Sequence, residues 1–186
     1  MRANKVIDYK SILQVLHEPG CPFCRFMKNH QAALLQEPGS KEIHHLCNFH
    51  TWGLAATQRA PSAAELFLNL LQDQAAAPLG RACDICTLLQ EEDDLRILEF
   101  VSCLHDKLVA QWLHSRAVLC MIHGAKLKRN VPPAVASVIC AIMDSYRNQL
   151  AEDLTRLRDV SEPDAAEWGL LGHAAEFLAS QRGLHA

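Results

Sequence analysis

Apolar residues recur every three or four positions along most of the chain, which is the spacing of amphipathic helices. The clearest stripe would occupy one helix face and comprises Val135, Ile139, Ile142, Tyr146, Leu150, Leu154 and Leu157. A second stripe, between residues 92 and 114, comprises Ile97, Val101, Leu104, Leu108 and Trp112. Alternating Val, Ile and Thr residues, which are typical of strands, are scarce. The pattern therefore predicts an all-α fold in which both stripes face a core.

Prolines, glycines and capping residues divide the chain into about seven to nine predicted helices. Breaks are predicted at Pro38–Ser40 and at Ser161–Asp164. Helix starts are predicted near Pro22, Lys41, Pro61, Ser115 (as an N-cap), Pro132 and Ser161.

Four short motifs form an internal repeat once the predicted helices are aligned. The corresponding pairs are Cys21-Pro-Phe-Cys24 with Cys83-Asp-Ile-Cys86, and Leu46-Cys47-Asn-Phe-His50 with Leu119-Cys120-Met-Ile-His123. The second copy carries an insertion, because 33 residues separate its two motifs instead of 22. We therefore predict a first helical repeat over residues 1–79, a second over 80–160 and a C-terminal helix over 161–186, packed as one globule.

Each repeat holds three cysteines and one histidine at the spacings of metal ligands. Pro22 favours the first helical position, which places Cys21 at the N-cap and Cys24 one turn into the helix. Cys47 and His50 are three residues apart and would share a helix face. Such a set suits tetrahedral Cys3His coordination. The predicted ligands are Cys21, Cys24, Cys47 and His50 in the first repeat, and Cys83, Cys86, Cys120 and His123 in the second.

The connection between the two motifs of the first repeat leaves the combination of ligands open. From Cys24 to the break at Pro38 is about 12 residues of helix, or roughly 18 Å, whereas the return from Ser40 to Cys47 is roughly 10 Å. A simple helical hairpin would leave the two ligand pairs about 8 Å out of level. Either the first helix is shorter or strongly tilted, or the CxxC pair of one repeat combines with the CxxH pair of the other.

Zinc is the predicted metal, with two ions per chain, because zinc favours closed four-coordinate sites of cysteine and histidine. Iron–sulfur clusters are the alternative, since thiolates with occasional histidine also hold them. Closed sites would be structural, and no catalytic group of residues is visible. Thiol–disulfide catalysis at Cys21 is disfavoured because no predicted strand precedes the motif. Cys103 and Cys140 lie in apolar stretches and are predicted to be buried core thiols.

Composition and charge limit the classes of partner and the cellular location that the sequence predicts. The chain is 49% hydrophobic and 21% charged, as in soluble globular proteins. No apolar run reaches the roughly 18 residues of a membrane span, and the first residues do not resemble a signal peptide. The net charge of −3 disfavours nucleic-acid binding through zinc-finger-like units, which needs clustered lysine and arginine. We expect a cytoplasmic protein that does not insert into membranes and that recognises a protein partner.

The motifs, taken together, resemble those of a group of small, uncharacterised bacterial helical proteins with tandem Cys-Pro-x-Cys and Cys-x-x-His motifs. The matching segments are His17–Cys24, Leu46–His50, Cys83–Cys86 and Leu119–His123, together with the C-terminal segment from Glu167 to Gly172. The resemblance implies a bacterial cytosolic metal-binding protein and supplies no activity.

Overall fold

The computed structural model describes residues 14–18, 20–36, 43–57, 60–74, 82–115, 117–159 and 165–179. Within these residues the secondary structure consists of eight helices and contains no strand, which confirms the predicted all-α class. The helices are α1 (Pro22–Gln36), α2 (Asn48–Thr57), α3 (Ala60–Gln74), α4 (Asp84–Ser102), α5 (Lys107–Ser115), α6 (Met121–Asn130), α7 (Pro133–Arg158) and α8 (Ala165–Ala179). None of the described helices is both long enough and apolar enough to span a membrane.

The chain divides into two compact units, and each unit draws on separate stretches of sequence. Unit 1 comprises Met1–Phe26 and Asp94–Arg182, and unit 2 comprises Met27–Asp93 and Gly183–Ala186. The division falls inside α1 and inside α4. Unit 1 therefore contains the CxxC motif of the first repeat and the CxxH motif of the second, whereas unit 2 contains the other two motifs.

Aromatic side chains form the centre of unit 1. Phe23 and Phe100 are fully buried, and their ring centroids lie 5.5 Å apart in an edge-to-face arrangement. Phe100 makes a second edge-to-face contact with the buried Trp112, at 5.8 Å. Such pairs add about 0.5–1.5 kcal/mol to the hydrophobic gain from the buried ring area. The start of α1 is thereby fixed against α4 and α5 within this unit.

The two predicted apolar stripes have different outcomes. The first lies on the single helix α7, and its residues Ile139 and Leu150 are buried. The second is interrupted, because α4 ends at Ser102 and α5 begins at Lys107. The carboxylate of Asp106 accepts the N–H of Leu108 at 2.7 Å and so restarts the helix. Leu108 is 45% exposed, and the prediction that it faces the core is wrong.

Two predicted helix starts are also wrong, and in both regions a cysteine precedes the actual helix. Residues 43–47 are not helical, so the helix expected near Lys41 begins at Asn48. Ser115 ends α5 and donates its hydroxyl to the carbonyl of Gln111 at 2.7 Å, whereas α6 begins after Cys120. The starts near Pro22, Pro61 and Pro132 are confirmed. The predicted breaks at Pro38–Ser40 and Ser161–Asp164 lie outside the described residues.

Helices α6 and α7 approach each other closely at Gly124, which is buried. A Cβ atom on Gly124 would lie 2.2 Å from Sδ and 2.7 Å from Cε of Met143. We expect Gly124→Val to lower the free energy of unfolding by about 1–3 kcal/mol, because the extra atoms overfill this contact. Urea unfolding of the metal-loaded protein measures the change.

Gly172→Val is the matched control, because a Cβ atom at this helical glycine would meet nothing within 4 Å. It should leave the stability unchanged or slightly increased, since valine has a higher helix propensity than glycine. Met143→Ala combined with Gly124→Val should recover part of the loss. Equal effects of the two glycine substitutions would contradict close packing at Gly124.

Candidate metal centres

The eight predicted ligands come together in two groups of three cysteines and one histidine, and within each group the ligand atoms lie within 4.8 Å of one another. The Cys21 site consists of Cys21, Cys24, Cys120 and His123, and the Cys47 site consists of Cys47, His50, Cys83 and Cys86. Each site combines the CxxC pair of one repeat with the CxxH pair of the other. The prediction that each repeat is organised around its own site is therefore wrong, and the exchanged combination is the one that forms.

Each CxxC or CxxH pair lies at the start of a helix. Cys21, Cys47, Cys83 and Cys120 each stand directly before the first helical residue of α1, α2, α4 and α6. Their carbonyl oxygens accept the first helical hydrogen bond, from the N–H groups of Arg25 (3.2 Å), Thr51 (3.0 Å), Thr87 (3.0 Å) and Gly124 (2.9 Å). The second ligand follows three residues later on the same side of the first turn. Two helix N-termini thus point their partial positive charge at each site, which favours the thiolate form of cysteine.

The N-cap geometry is defined most fully at Cys120. Its backbone is extended, with φ −69° and ψ 161°, as expected of an N-cap residue. Its sulfur accepts the backbone N–H of His123 at 3.4 Å. One sulfur atom therefore caps the helix and faces the other ligands.

The Cys21 site is almost completely enclosed. Nδ1 of His123 lies 3.1 Å from Sγ of Cys120, 3.3 Å from Sγ of Cys24 and 3.6 Å from Sγ of Cys21. The sulfurs of Cys24 and Cys120 are 3.5 Å apart. The exposed fractions of the four residues are 9% for Cys21, 1% for Cys24, 2% for Cys120 and 0% for His123. Phe23 stacks on the His123 ring at 5.5 Å and covers it from one side.

The chain enters the Cys21 site through Gly20, whose φ of 90° is a value that other residues rarely adopt. A cleft of about 320 Å³ borders the site, and its walls include Arg25, Tyr146, His173 and Phe177. Arg25 forms an ion pair with Glu18 at 2.7 Å.

The Cys47 site has the same ligand set in a more open position. Nδ1 of His50 lies 3.3 Å from Sγ of Cys47 and 3.4 Å from the sulfurs of both Cys83 and Cys86. The sulfurs of Cys47 and Cys86 are 3.9 Å apart. His50 and Cys83 are buried, whereas Cys47 and Cys86 are partly exposed.

Two residues outside the ligand set position the Cys47 site. The Gln31 amide lies 3.0 Å from Nε2 of His50, so Nδ1 is left to face the sulfurs. When Nδ1 binds a metal, Nε2 carries the proton and the Gln31 carbonyl is the suitable acceptor. The Asp84 carboxylate accepts the backbone N–H groups of His44 and His45, both at 2.7 Å, and holds the segment before Cys47 against the start of α4.

These distances suit four ligands around one ion. With Zn–S bonds of about 2.3 Å and Zn–N bonds of about 2.0 Å, the edges of a tetrahedron are about 3.8 Å between sulfurs and about 3.5 Å between sulfur and nitrogen. The sulfur–sulfur distance is 3.5 Å between Cys24 and Cys120 and 3.9 Å between Cys47 and Cys86. The observed sulfur–nitrogen distances run from 3.1 to 3.6 Å. The residues therefore fit a closed tetrahedral metal site in each unit.

In the Cys21 site without a metal, the thiols resist ionising together. Burial, with the neighbouring Cys120 and Cys24, raises the pKa of the Cys21 thiol well above its usual value. Hydrogen bonds from Cys21 and Cys24 lower the pKa of Cys120 far below its usual range, although burial opposes that shift. Of these two thiols, Cys120 therefore ionises more readily than Cys21.

In the Cys47 site, too, one thiol has a raised pKa and another has a lowered pKa. Burial and the charge of Cys83 raise the pKa of Cys86 to about 12. Burial also acts to raise the pKa of Cys47, but hydrogen bonds from the His50 backbone and from Cys83 outweigh it and lower that pKa. Burial lowers the pKa of His50 and keeps the ring neutral, which is the form that binds metals. A divalent cation would allow all three thiolates of a site to coexist.

The remaining cysteines join neither group within the described residues. Cys103 is buried, as predicted, whereas Cys140 is partly exposed, so its predicted burial in the core is not confirmed. Sequence reasoning also missed the roles of Gln31 and Asp84. Asp84 stands inside the Cys-Asp-Ile-Cys motif, where its position was a usable signal, but the role of Gln31 depends on which helices meet.

Comparison with known protein families, with curated proteins and with solved structures gave no match. The resemblance of the motifs to the group of bacterial helical proteins therefore stays a prediction, and the function is inferred from the geometry of the two sites.

Paired substitutions test the exchanged combination of ligands. Cys24→Ser with Cys120→Ser removes two ligands from one site, so this variant should keep about one metal ion per chain, in the Cys47 site. Cys24→Ser with Cys47→Ser removes one ligand from each site and should lower the affinity of both sites. Metal content after dialysis against a chelator measures both variants.

Cys103→Ser with Cys140→Ser is the matched control, because neither cysteine belongs to a site, and it should keep the wild-type metal content. Retention of one tightly bound metal by the Cys24/Cys47 variant, with loss of both from the Cys24/Cys120 variant, would show that each repeat forms its own site.

Proposed function

We propose that this chain is a zinc protein that holds one structural zinc ion in each of its two Cys3His sites. The observation that carries the proposal is that the four ligand atoms of each site lie within 4.8 Å of one another, with sulfur–nitrogen distances of 3.1 to 3.6 Å that are close to the edge of a zinc tetrahedron, about 3.5 Å. All four positions are taken by protein atoms. A site of this kind has no open position for a substrate and acts as a structural crosslink.

The same distances favour a single ion over an iron–sulfur cluster. The ligands of a cluster bind different iron atoms and are spread around a larger inorganic core. Four ligand atoms within 4.8 Å of one another lie closer together than the ligands around such a core would. A mononuclear metal is therefore the better fit, and zinc is the common choice for closed sites of cysteine and histidine.

Each metal crosslink would connect the starts of two helices. Each ion would join the first turns of two helices, α1 and α6 at one site and α2 and α4 at the other. Metal binding to such sites contributes directly to the free energy of folding, because the unfolded chain does not bring the ligands together. Eight free cysteines fit a reducing compartment, and we place the protein in the cytoplasm.

The face beside the Cys47 site presents two exposed aromatic residues that suit a protein partner. Trp52 is 72% exposed and Phe49 is 40% exposed, and both lie on α2. Aromatic residues are enriched in protein interfaces, where tryptophan often contributes most of the binding energy. Zinc at the start of α2 would hold these two side chains in a fixed position.

Elemental analysis of protein purified without oxygen tests the metal assignment. We expect about two zinc ions per chain, with no acid-labile sulfide, because each site encloses one ion. The Cys103→Ser, Cys140→Ser variant should give the same content. Several iron atoms per chain, with labile sulfide and absorption at about 400 nm, would contradict the zinc assignment and indicate a redox function.

Proton release on metal binding tests the charge state of the sites. Thiols with a raised pKa, Cys21 in one site and Cys86 (about 12) in the other, are protonated at neutral pH in the metal-free protein. Zinc must displace these protons, so the affinity should rise as the pH increases from about 6 to about 8, with at least about one proton released per ion. Calorimetry in buffers of different ionisation enthalpy measures this number. An affinity that does not change with pH would contradict ligation by these thiols.

A further inference from the structure

The two sites share their ligand set but differ in access to solvent. The three cysteines of the Cys21 site line its cleft, but none of them is more than 9% exposed. In the Cys47 site, both Cys47 and Cys86 are partly exposed. The cysteines of the Cys47 site are therefore more exposed to small reagents than those of the Cys21 site.

The surface around Cys47 is open. A shallow depression there is lined by Cys47, Asn48, Phe49, Trp52 and Gly53. Cys47 stands at the start of α2 and Cys86 lies in α4, and their sulfurs are 3.9 Å apart. The two accessible thiols of the site are thus neighbours, while Cys83 and His50 lie deeper.

We propose that the Cys47 site is an oxidation-sensitive metal site, at which hydrogen peroxide joins Cys47 and Cys86 in a disulfide and releases the metal ion. The Cys21 site keeps its metal under the same conditions. This inference rests on the proposed metal binding and adds a regulatory reaction at one of the two sites.

The reaction balances in two steps. The Cys47 thiolate attacks one oxygen of hydrogen peroxide, the O–O bond breaks, and a sulfenic acid and hydroxide form. The Cys86 thiolate then attacks the sulfenic sulfur, the S–S bond forms, and the second hydroxide leaves. Peroxide is reduced by two electrons and the two thiolates are oxidised by two. The ion keeps only Cys83 and His50 as ligands and leaves as a divalent cation.

This reaction would change the link between the starts of two helices. Cys47 precedes α2, and Cys86 lies in the first turn of α4. A disulfide replaces the ion as the link between these helix starts but has a different length and geometry. The oxidation state of the Cys47 site would thereby alter the position of α2, which carries Phe49 and Trp52.

The test begins with zinc-loaded protein in which two zinc ions per chain have been measured. Hydrogen peroxide is added in increasing amounts, a coloured chelator reports the zinc released, and mass spectrometry of peptides identifies the crosslinked cysteines. We expect the first equivalent of zinc to leave at least about tenfold faster than the second, since accessible thiolates react first. A Cys47–Cys86 crosslink should accompany it, while Cys21, Cys24 and Cys120 stay protected from alkylation.

Cys140→Ser is the background variant, because Cys140 is a partly exposed thiol outside both sites, and it should leave the release of zinc unchanged. Cys83→Ser removes a ligand of the Cys47 site, and this variant should lose the fast phase and keep the slow one. Release of both ions at one rate, release first from the Cys21 site, or a first crosslink between other cysteines would each overturn the proposal. A protein that holds no zinc before oxidation would instead overturn the proposed function.

Discussion

The constraint that governs both candidate metal sites is that three cysteines and a histidine share one small, partly dehydrated space, in which thiolates repel one another unless a cation lies between them. In each site the metal-free thiols resist ionising together, as the raised pKa values of Cys21 and Cys86 show. A divalent ion reverses this preference. Because every ligand pair lies at a helix start, a bound ion would hold the first turns of two helices in place as well as balance the charges, α1 with α6 in one site and α2 with α4 in the other.

The exchange of motifs between repeats gives the two sites different spans along the chain. Ligands of the Cys21 site are up to 102 residues apart, whereas those contributed by different motifs of the Cys47 site are at most 39 apart. Closing the longer loop costs only about 1 kcal/mol more, because the entropy of closure grows with the logarithm of length. Both combinations of motifs would form the same metal–ligand bonds, so this small closure cost is set against differences in packing. Packing decides it: Phe23, between the two cysteines of its motif, lies against Phe100 and the ring of His123.

Sequence reasoning predicted the helical class and the list of candidate ligands because both follow from short-range spacing. Proline fixed the starts of α1 and α7, since its ring presets the helical φ angle. The starts of α2 and α6 were missed because their caps are cysteines, which lie outside the usual capping set of serine, threonine, aspartate and asparagine. The combination of ligands was not predictable, since it depends on contacts such as Phe23 with Phe100, between residues far apart in sequence. The contact of Gln31 with His50 and the exposure of Leu108 could not be predicted for the same reason.

The two sites show that the ligand set alone does not determine how a metal centre behaves. Both have three thiolates, one Nδ1 atom and two helix N-termini, so their intrinsic affinities should be similar. What differs is the exposure of the cysteines. Phe23 stacks on His123 in one site and Phe49 meets His50 edge-to-face in the other, but only in the second site are two cysteines, Cys47 and Cys86, partly exposed. A covered thiolate is chemically inert, and an accessible one keeps its nucleophilic character even when it binds a metal. With a metal ion in each site, the same ligand set would therefore supply a protected crosslink in unit 1 and the proposed oxidation-sensitive one in unit 2.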